Sequence, residues 1–116
     1  MTWRGTQPMD TMVDSWTDRE QVIARAALER ARTRAVDVLI ARLRTSIEAL
    51  ASADEVWQLH DFLSIERHTM EGRFDFRLGG ILFVLAGLVK DELLAMEELE
   101  GLEADKLAKV KAMSRF

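Results

Sequence analysis

The stretch from Thr17 to Leu50 constrains this chain most, because it contains neither glycine nor proline. Ala, Arg, Leu and Glu dominate it, and all four residue types favour helix. Thr17 and Glu20, three residues later, match a capping box, which marks a helix start. The stretch therefore predicts one long helix over about residues 17–50, which would extend roughly 50 Å at 1.5 Å per residue.

A helix of this length is too long for a compact domain of 116 residues to cover. Such a domain has a radius of gyration of only about 13 Å, so the helix would extend beyond its own core. Its apolar positions share one side of the helical wheel: Leu28, Ala35, Val36, Leu39, Ile40, Leu43, Ile47 and Leu50. We expect a second copy to cover this stripe in a two-fold homodimer, with its seam at Leu39, Ile40, Leu43 and Ile47. The alternative is a helix that breaks near its middle and folds back.

Shorter helices are predicted for the rest of the chain. Ser52 and Glu55 match a second capping box and open a helix over about 54–70, which Gly72 should end. A third helix is expected over about 76–90, and short helices over 96–113. We therefore predict an all-α fold, with a flexible N-terminal tail at 1–13 and one all-α domain at 14–116.

Composition excludes several classes of protein. There is no cysteine, which removes disulfides and thiolate metal sites. The net charge of −4 does not suggest nucleic-acid binding. The longest apolar stretch, Leu78–Val89, is too short to span a bilayer, and no signal peptide is apparent, so we expect a cytoplasmic protein. The arginines between Arg19 and Arg44 are interpreted as charge on a solvated helix face, with an anionic-ligand patch as the alternative.

The second helix carries an unusual polar face for a solvated surface. One side of its wheel gathers an indole, two imidazoles, a carboxylate and a guanidinium: Trp57, His60, Asp61, Ser64, Arg67 and His68. Trp and Arg are enriched at protein-binding hot spots, so this face indicates a partner or dimer contact. The alternative is ordinary packing of Trp57 under the long helix. The histidine spacing fits a zinc site poorly, and no nucleophile or phosphate loop is evident. We therefore expect no metal, no cofactor and no enzymatic activity.

Three glycines interrupt the third helix. Gly80, Phe83 and Gly87 fall on one face of it. Small residues beside a large aromatic either allow tight helix packing or leave the ring projecting above a shallow groove. We expect tight packing and keep the projecting ring as the alternative.

The run DEVWQLHDFLSIERHTMEGRFDFR, Asp54 to Arg77, resembles the fluorescence recovery protein family of cyanobacteria. The similarity continues through ILFVLAGLVKDELL and EELEGLEADKLAKV, covering about residues 50–113. The resemblance implies an all-α dimer that binds the orange carotenoid protein and carries no carotenoid itself. Such a protein speeds the return of its partner from the red, quenching form to the orange form, and so ends non-photochemical quenching at the phycobilisome.

The resemblance also assigns roles to residues. Partner-binding or dimer contacts of the family fall on Trp57, His60, Asp61 and Arg67, and a second contact region falls on Phe83 and Lys109. In a cyanobacterium we expect the protein to be cytoplasmic, peripheral to the cytoplasmic face of thylakoid membranes. The alternative function is a dimeric adaptor of the same fold that binds a different partner, in an organism without the carotenoid protein.

Overall fold

The computed structural model describes residues 16–116, so the tail expected at 1–13 lies outside the described residues. Four α-helices follow one another: α1 (Asp18–Glu48), α2 (Ala53–Arg73), α3 (Ile81–Lys90) and α4 (Ala104–Met113). Two 3₁₀ turns, Leu78–Gly80 and Met96–Leu99, precede α3 and α4. Residues 16–116 contain no strand beyond one isolated bridge between Glu100 and Leu102. The predicted all-α class is confirmed, whereas the dimer and the extent of the single domain stay predictions.

The long first helix is continuous, so the alternative in which it breaks and folds back is wrong. Its capping box is complete. The Thr17 hydroxyl accepts the Glu20 amide at 3.0 Å, and the Glu20 carboxylate accepts the Thr17 amide at 3.1 Å. These bonds satisfy two of the amides that a helix start leaves unpaired, which fixes the beginning of α1.

The predicted end of the second helix is wrong, because α2 continues through Gly72 to Arg73. A side chain at Gly72 would meet no atom within 4 Å, so nothing there forces the backbone out of the helix. The helix ends where Phe74 turns into the core and becomes buried. At its start the Ser52 hydroxyl accepts the Glu55 amide at 3.2 Å, and the Glu55 carboxylate accepts the Ala51 amide at 2.8 Å.

The third helix begins later than residue 76. Arg77 is extended, with φ −138°, and Leu78–Gly80 forms a 3₁₀ turn before α3 starts at Ile81. Adjacent glycines disfavour regular helix, which accounts for the tighter turn. The short helices predicted over 96–113 correspond to the Met96–Leu99 turn and α4. Gly101 adopts φ +110° between the Met96–Leu99 turn and α4, a backbone conformation that favours glycine.

The buried residues all lie in one part of the folded molecule, which we call the head (residues 16–31 and 74–116). Its fully buried large side chains come from α3, the turn before α4, and α4: Ile81, Leu85, Leu88, Leu99 and Val110. The α1 helix contributes mainly alanines, Ala24, Ala27 and Ala31, each with no solvent exposure. Small side chains on this face let the backbone of α1 approach α3 closely.

The remaining segment, residues 32–73, contains no buried residue, and we call it the arm. It consists of the second half of α1, the connection, and α2. The arm makes the molecule elongated, with extents of 67 × 31 × 25 Å and a radius of gyration of 18.3 Å. A compact domain of this length would have a radius of gyration of about 13 Å. The expectation that the long helix extends beyond its own core is therefore confirmed.

None of the helices described over residues 16–116 is both long enough and apolar enough to cross a membrane.

Candidate functional site

The polar face of α2 lies fully on the outside of the arm. The Trp57 residue is 64% exposed, so the alternative in which it packs under the long helix is wrong within one chain. His60, Asp61 and Arg67 are exposed along the same helix. A large indole left in water beside charged groups is the pattern of a contact surface, because burying it in a complex releases apolar area.

Two local contacts organise this face. The His60 Nδ1 lies 3.3 Å from the Asp61 Oδ1. The Arg67 Nε lies 3.7 Å from the Glu71 carboxylate, one helical turn further on. Exposed pairs of this kind contribute little to stability. The charges therefore remain available to a partner.

A groove of about 460 Å³ runs between α1 and α2 where the arm joins the head. Val36 and Leu39 line it from α1, and Leu63 and Met70 line it from α2. Two guanidinium groups, Arg32 and Arg67, border this apolar floor. Helical spacing places Arg32 on the same side of α1 as Val36 and Leu39, but it does not show that Arg67 of α2 lies across the groove from it.

The predicted dimer seam divides into two pairs. Leu39 and Leu43 are half-buried, whereas Ile40 and Ile47 are exposed, Ile47 at 57%. The four residues therefore do not form one exposed surface in the single chain. Of the predicted seam, Ile40 and Ile47 are the two residues that remain accessible to a second copy.

The head carries the second predicted contact region. Phe83 on α3 is 76% exposed, and side chains added at Gly80 or Gly87 would meet no atom within 4 Å. The expectation of tight helix packing on this face is therefore wrong within the chain, and the ring projects as in the alternative. Lys109 lies on α4, with its Nζ 3.5 Å from the Asp105 carboxylate. Since α3 and α4 pack on each other, both residues belong to the surface of the head.

A buried ion pair, which sequence analysis missed, fixes α4 in the head. The Lys106 Nζ lies 2.7 Å from the Glu20 carboxylate, whose second oxygen accepts the Glu103 amide at 2.9 Å. The Trp16 ring packs over the same ammonium at 4.5 Å. Burial alone raises the Glu20 pKa, but the hydrogen bonds from Lys106, Glu103 and Thr17 outweigh it, so the pKa is lowered overall. Glu20 therefore stays ionised and holds the starts of α1 and α4 together.

Part of the arginine-rich face of α1 is not simply solvated. Arg34 donates two hydrogen bonds to the Glu98 carboxylate, at 2.6 and 2.7 Å, and Arg30 lies 3.4 Å from it. The hydrogen bonds from Arg34 are the main cause that lowers the pKa of Glu98 to about 2. These arginines bind the chain's own carboxylate and thereby attach the Met96–Leu99 turn to α1.

No group of three or more His, Asp or Glu residues within the described part of the chain is arranged to hold a metal ion. The exposed features over residues 16–116 include an indole, a projecting phenyl ring and an apolar groove between arginines. Their chemistry suits contact with another protein.

Comparison with known proteins agrees with this architecture. Residues 16–114 match the sequence profile of the photoprotection regulator fluorescence recovery protein. The chain is 38% identical to the fluorescence recovery protein of Synechocystis sp. (strain PCC 6803) over 108 residues, which cover 93% of this chain and 99% of that protein.

Solved structures give the same result. The fluorescence recovery protein of Fremyella diplosiphon superimposes with a TM-score of 0.81 at 38% identity, covering 88% of this chain and 100% of that one. The Synechocystis structure also gives a TM-score of 0.81, at 40% identity, with 87% and 99% covered. Fold and sequence thus define an all-helical regulator of photoprotection. The chain belongs to the fluorescence recovery protein family.

Proposed function

We propose that this chain binds the photoactivated orange carotenoid protein and accelerates its red-to-orange return, ending non-photochemical quenching without any catalytic step of its own. Membership of a photoprotection-regulator family supports the proposal. The single observation that carries it is the exposed indole of Trp57, 64% in contact with solvent, beside His60 and Asp61. Burial of a ring of this size in a complex would remove a large apolar area from water, which favours a protein partner.

The proposed mechanism is a shift of populations. A protein that holds the resting form, or the barrier between the two forms, more tightly than the open form changes the balance or the rate. Each 1.4 kcal/mol of that preference corresponds to about tenfold. Trp57 would supply apolar anchoring, and Asp61 and Arg67 would supply charge-assisted hydrogen bonds.

The proposal includes a homodimer joined through the arm. The exposed Ile40 and Ile47 would be covered by a second copy. An arm without a buried residue is stabilised most simply by a two-fold partner that buries it. The head would then remain free at each end of the dimer, with Phe83 and Lys109 facing the carotenoid protein. We place the protein in the cytoplasm, peripheral to thylakoid membranes if the source is a cyanobacterium.

The test measures dark recovery of the red carotenoid protein by absorbance, with and without this protein at micromolar excess. We expect a faster return with the wild type, and a loss of most of that effect in Trp57→Leu and Arg67→Leu. Arg19→Leu, at an exposed arginine at the start of α1, is the matched control and should act like the wild type.

Unchanged recovery with wild-type protein would reject this function. A different stable partner in a pull-down, without binding to the carotenoid protein, would instead select the adaptor of the same fold. Equal activity of Arg67→Leu and Arg19→Leu would remove Arg67 from the binding surface.

A further inference from the structure

We infer that the arm is ordered only by association: in a separated subunit α2 unfolds while the head stays folded. The inference rests on the proposed dimer, and concerns its regulation. The arm would therefore be a conformational device, whose contact face exists in the associated protein and is lost when the subunits separate.

The first step is the absence of burial along α2. None of its 21 residues is buried. Hydrophobic burial of an apolar face is what stabilises most helices in proteins, because isolated helices of about this length are only marginally stable in water. On its own chain α2 has a helix start, capped by Ser52, and its apolar residues facing α1, such as Leu63 and Met70, are only half-buried.

The second step concerns what attaches α2 to the rest of the chain. Near its middle the Arg42 guanidinium lies over the Phe62 ring at 4.5 Å. At its end Arg73 pairs with Asp91, and Phe74 enters the core. The backbones of α1 and α2 make few close approaches. Surface contacts of this strength hold the base of α2 and leave most of it without support.

The third step is that the head does not need the arm. Its core is built from residues 16–31 and 74–116, and the fully buried side chains all come from these segments. The buried Glu20 and Lys106 pair joins the two segments directly. Regions with few buried contacts open at lower free energy than the core, so the arm and the head should unfold as separate units.

The consequence concerns Trp57, His60 and Asp61, which lie on the part of α2 furthest from Phe74. In a separated subunit these side chains would lose their common helix face. A signal that dissociates the dimer would then abolish this contact surface, whereas Phe83 on the folded head would be retained.

The experiment is amide hydrogen exchange followed by mass spectrometry on the full chain, with light scattering on the same samples. Ile47→Glu places a charge where the side chain is already 57% exposed, so any effect reports association rather than the subunit's own packing. Val22→Glu is the matched control, because Val22 is 65% exposed on the same helix but lies on the head. Wild-type protein, diluted until light scattering gives the mass of a single chain, provides the same comparison without a substitution.

In single chains we expect peptides from 53–70 to exchange within about tenfold of the rate of an unstructured peptide. Peptides from 81–90 and 104–113 should remain at least about a hundredfold slower. Associated wild type and Val22→Glu should protect both regions. Protection of α2 in a sample with the mass of one chain would overturn the inference, and so would loss of protection in head and arm together.

No carotenoid protein is present in this experiment. A failed recovery assay therefore rejects the proposed function without affecting the exchange result, and the two failures are distinguishable.

Discussion

Arg34 on α1 and Glu98, 64 residues later, form two parallel hydrogen bonds of 2.6 and 2.7 Å. The same guanidinium donates to the Leu93 carbonyl at 3.1 Å, and the same carboxylate accepts the Ala95 amide at 2.9 Å. One ion pair therefore closes the Met96–Leu99 turn and ties it to the long helix.

Glu98 should make stability sensitive to acid. Its pKa is about 2 in the folded protein, against an ordinary value of 4.5. As the pH falls, Glu98 is therefore protonated in the unfolded chain before it is protonated in the folded protein. Its contribution to the free energy of unfolding is complete above about pH 4.5 and is lost as the pH falls towards 2. We expect Glu98→Gln to be less stable than wild type at pH 7 and to lose less stability between pH 4.5 and 2, measured by urea unfolding. Glu97→Gln, on the same turn and exposed, is the control; an equal acid profile in the two variants would contradict the assignment.

Removal of only one partner of the buried Glu20–Lys106 pair should lower the free energy of unfolding strongly. Lys106→Met leaves the Glu20 carboxylate buried without its cation and should lower the free energy of unfolding by about 3 kcal/mol. The double variant with Glu20→Gln should regain part of that loss, because no uncompensated charge remains. Lys109→Met on the same helix removes only an exposed pair and should change stability by less than about 1 kcal/mol. Similar losses at Lys106 and Lys109 would refute the role of the pair.

Gly101 should not tolerate a side chain. A Cβ there would lie 2.5 Å from the Ile23 Cδ1, and the backbone φ of +110° is unfavourable for other residues. We expect Gly101→Ala to destabilise the protein by about 2 kcal/mol in thermal or urea unfolding. Gly87→Ala is the matched comparison, because its Cβ would meet open space inside a helix and should stabilise by up to about 1 kcal/mol. Opposite signs are the expected result; equal effects would be inconsistent with it.

Replacement of Glu92 by glycine should stabilise the folded protein. It is the non-glycine residue with positive φ among the described positions, at 62°. Its amide donates to the Val89 carbonyl at 3.0 Å, and the next amide, of Leu93, to the Leu88 carbonyl at 2.9 Å. This is the Schellman pattern, in which glycine is the usual residue. Glu92→Gly should raise the melting temperature, with a gain of about 0.5–1 kcal/mol.

Glu100→Gly is the control for that gain, because Glu100 has φ −57°. Glycine there only adds freedom to the unfolded chain and should destabilise. A melting temperature that falls in both variants would show that the backbone at Glu92 carries no strain.

Substitution of Phe83 should weaken the action on the carotenoid protein without changing the stability of the chain. With 76% of the residue exposed, Phe83→Ala removes little buried area and should change the free energy of unfolding by less than about 0.5 kcal/mol. Recovery of the carotenoid protein should nevertheless slow several-fold if the head contacts it. Val22→Ala, at a similarly exposed apolar residue, should alter neither quantity. Normal recovery with Phe83→Ala would exclude this ring from the contact.

The sequence predicted those parts of the fold that depend on local signals. The absence of glycine and proline and the capping box at Thr17 were enough to predict α1. The end of α2 was missed, because it is set by burial of Phe74 in a core that distant segments build. Gly72 offered a local stop signal that the structure does not use.

In the candidate site, too, the sequence predicted the features that depend on local signals and missed those that depend on distant residues. The exposed polar face around Trp57 followed from helical periodicity and residue type alone. The pairing of Glu20 with Lys106, 86 residues apart, could not be inferred, because no local pattern indicates which distant charges become buried together. Arg34 and Glu98 illustrate the same point, since a charge on α1 that looks solvated in the sequence is bound in the fold.

The head is assembled from the two ends of the described chain, with Glu20 accepting an amide 83 residues away. During synthesis α1 leaves the ribosome long before the residues that complete its core. Its alanine face must therefore stay uncovered until α3 and the Met96–Leu99 turn have been made. Folding of the head consequently begins long after α1 has been made, and a chain truncated before Lys106 should be a substrate for chaperones or proteases rather than a smaller working protein.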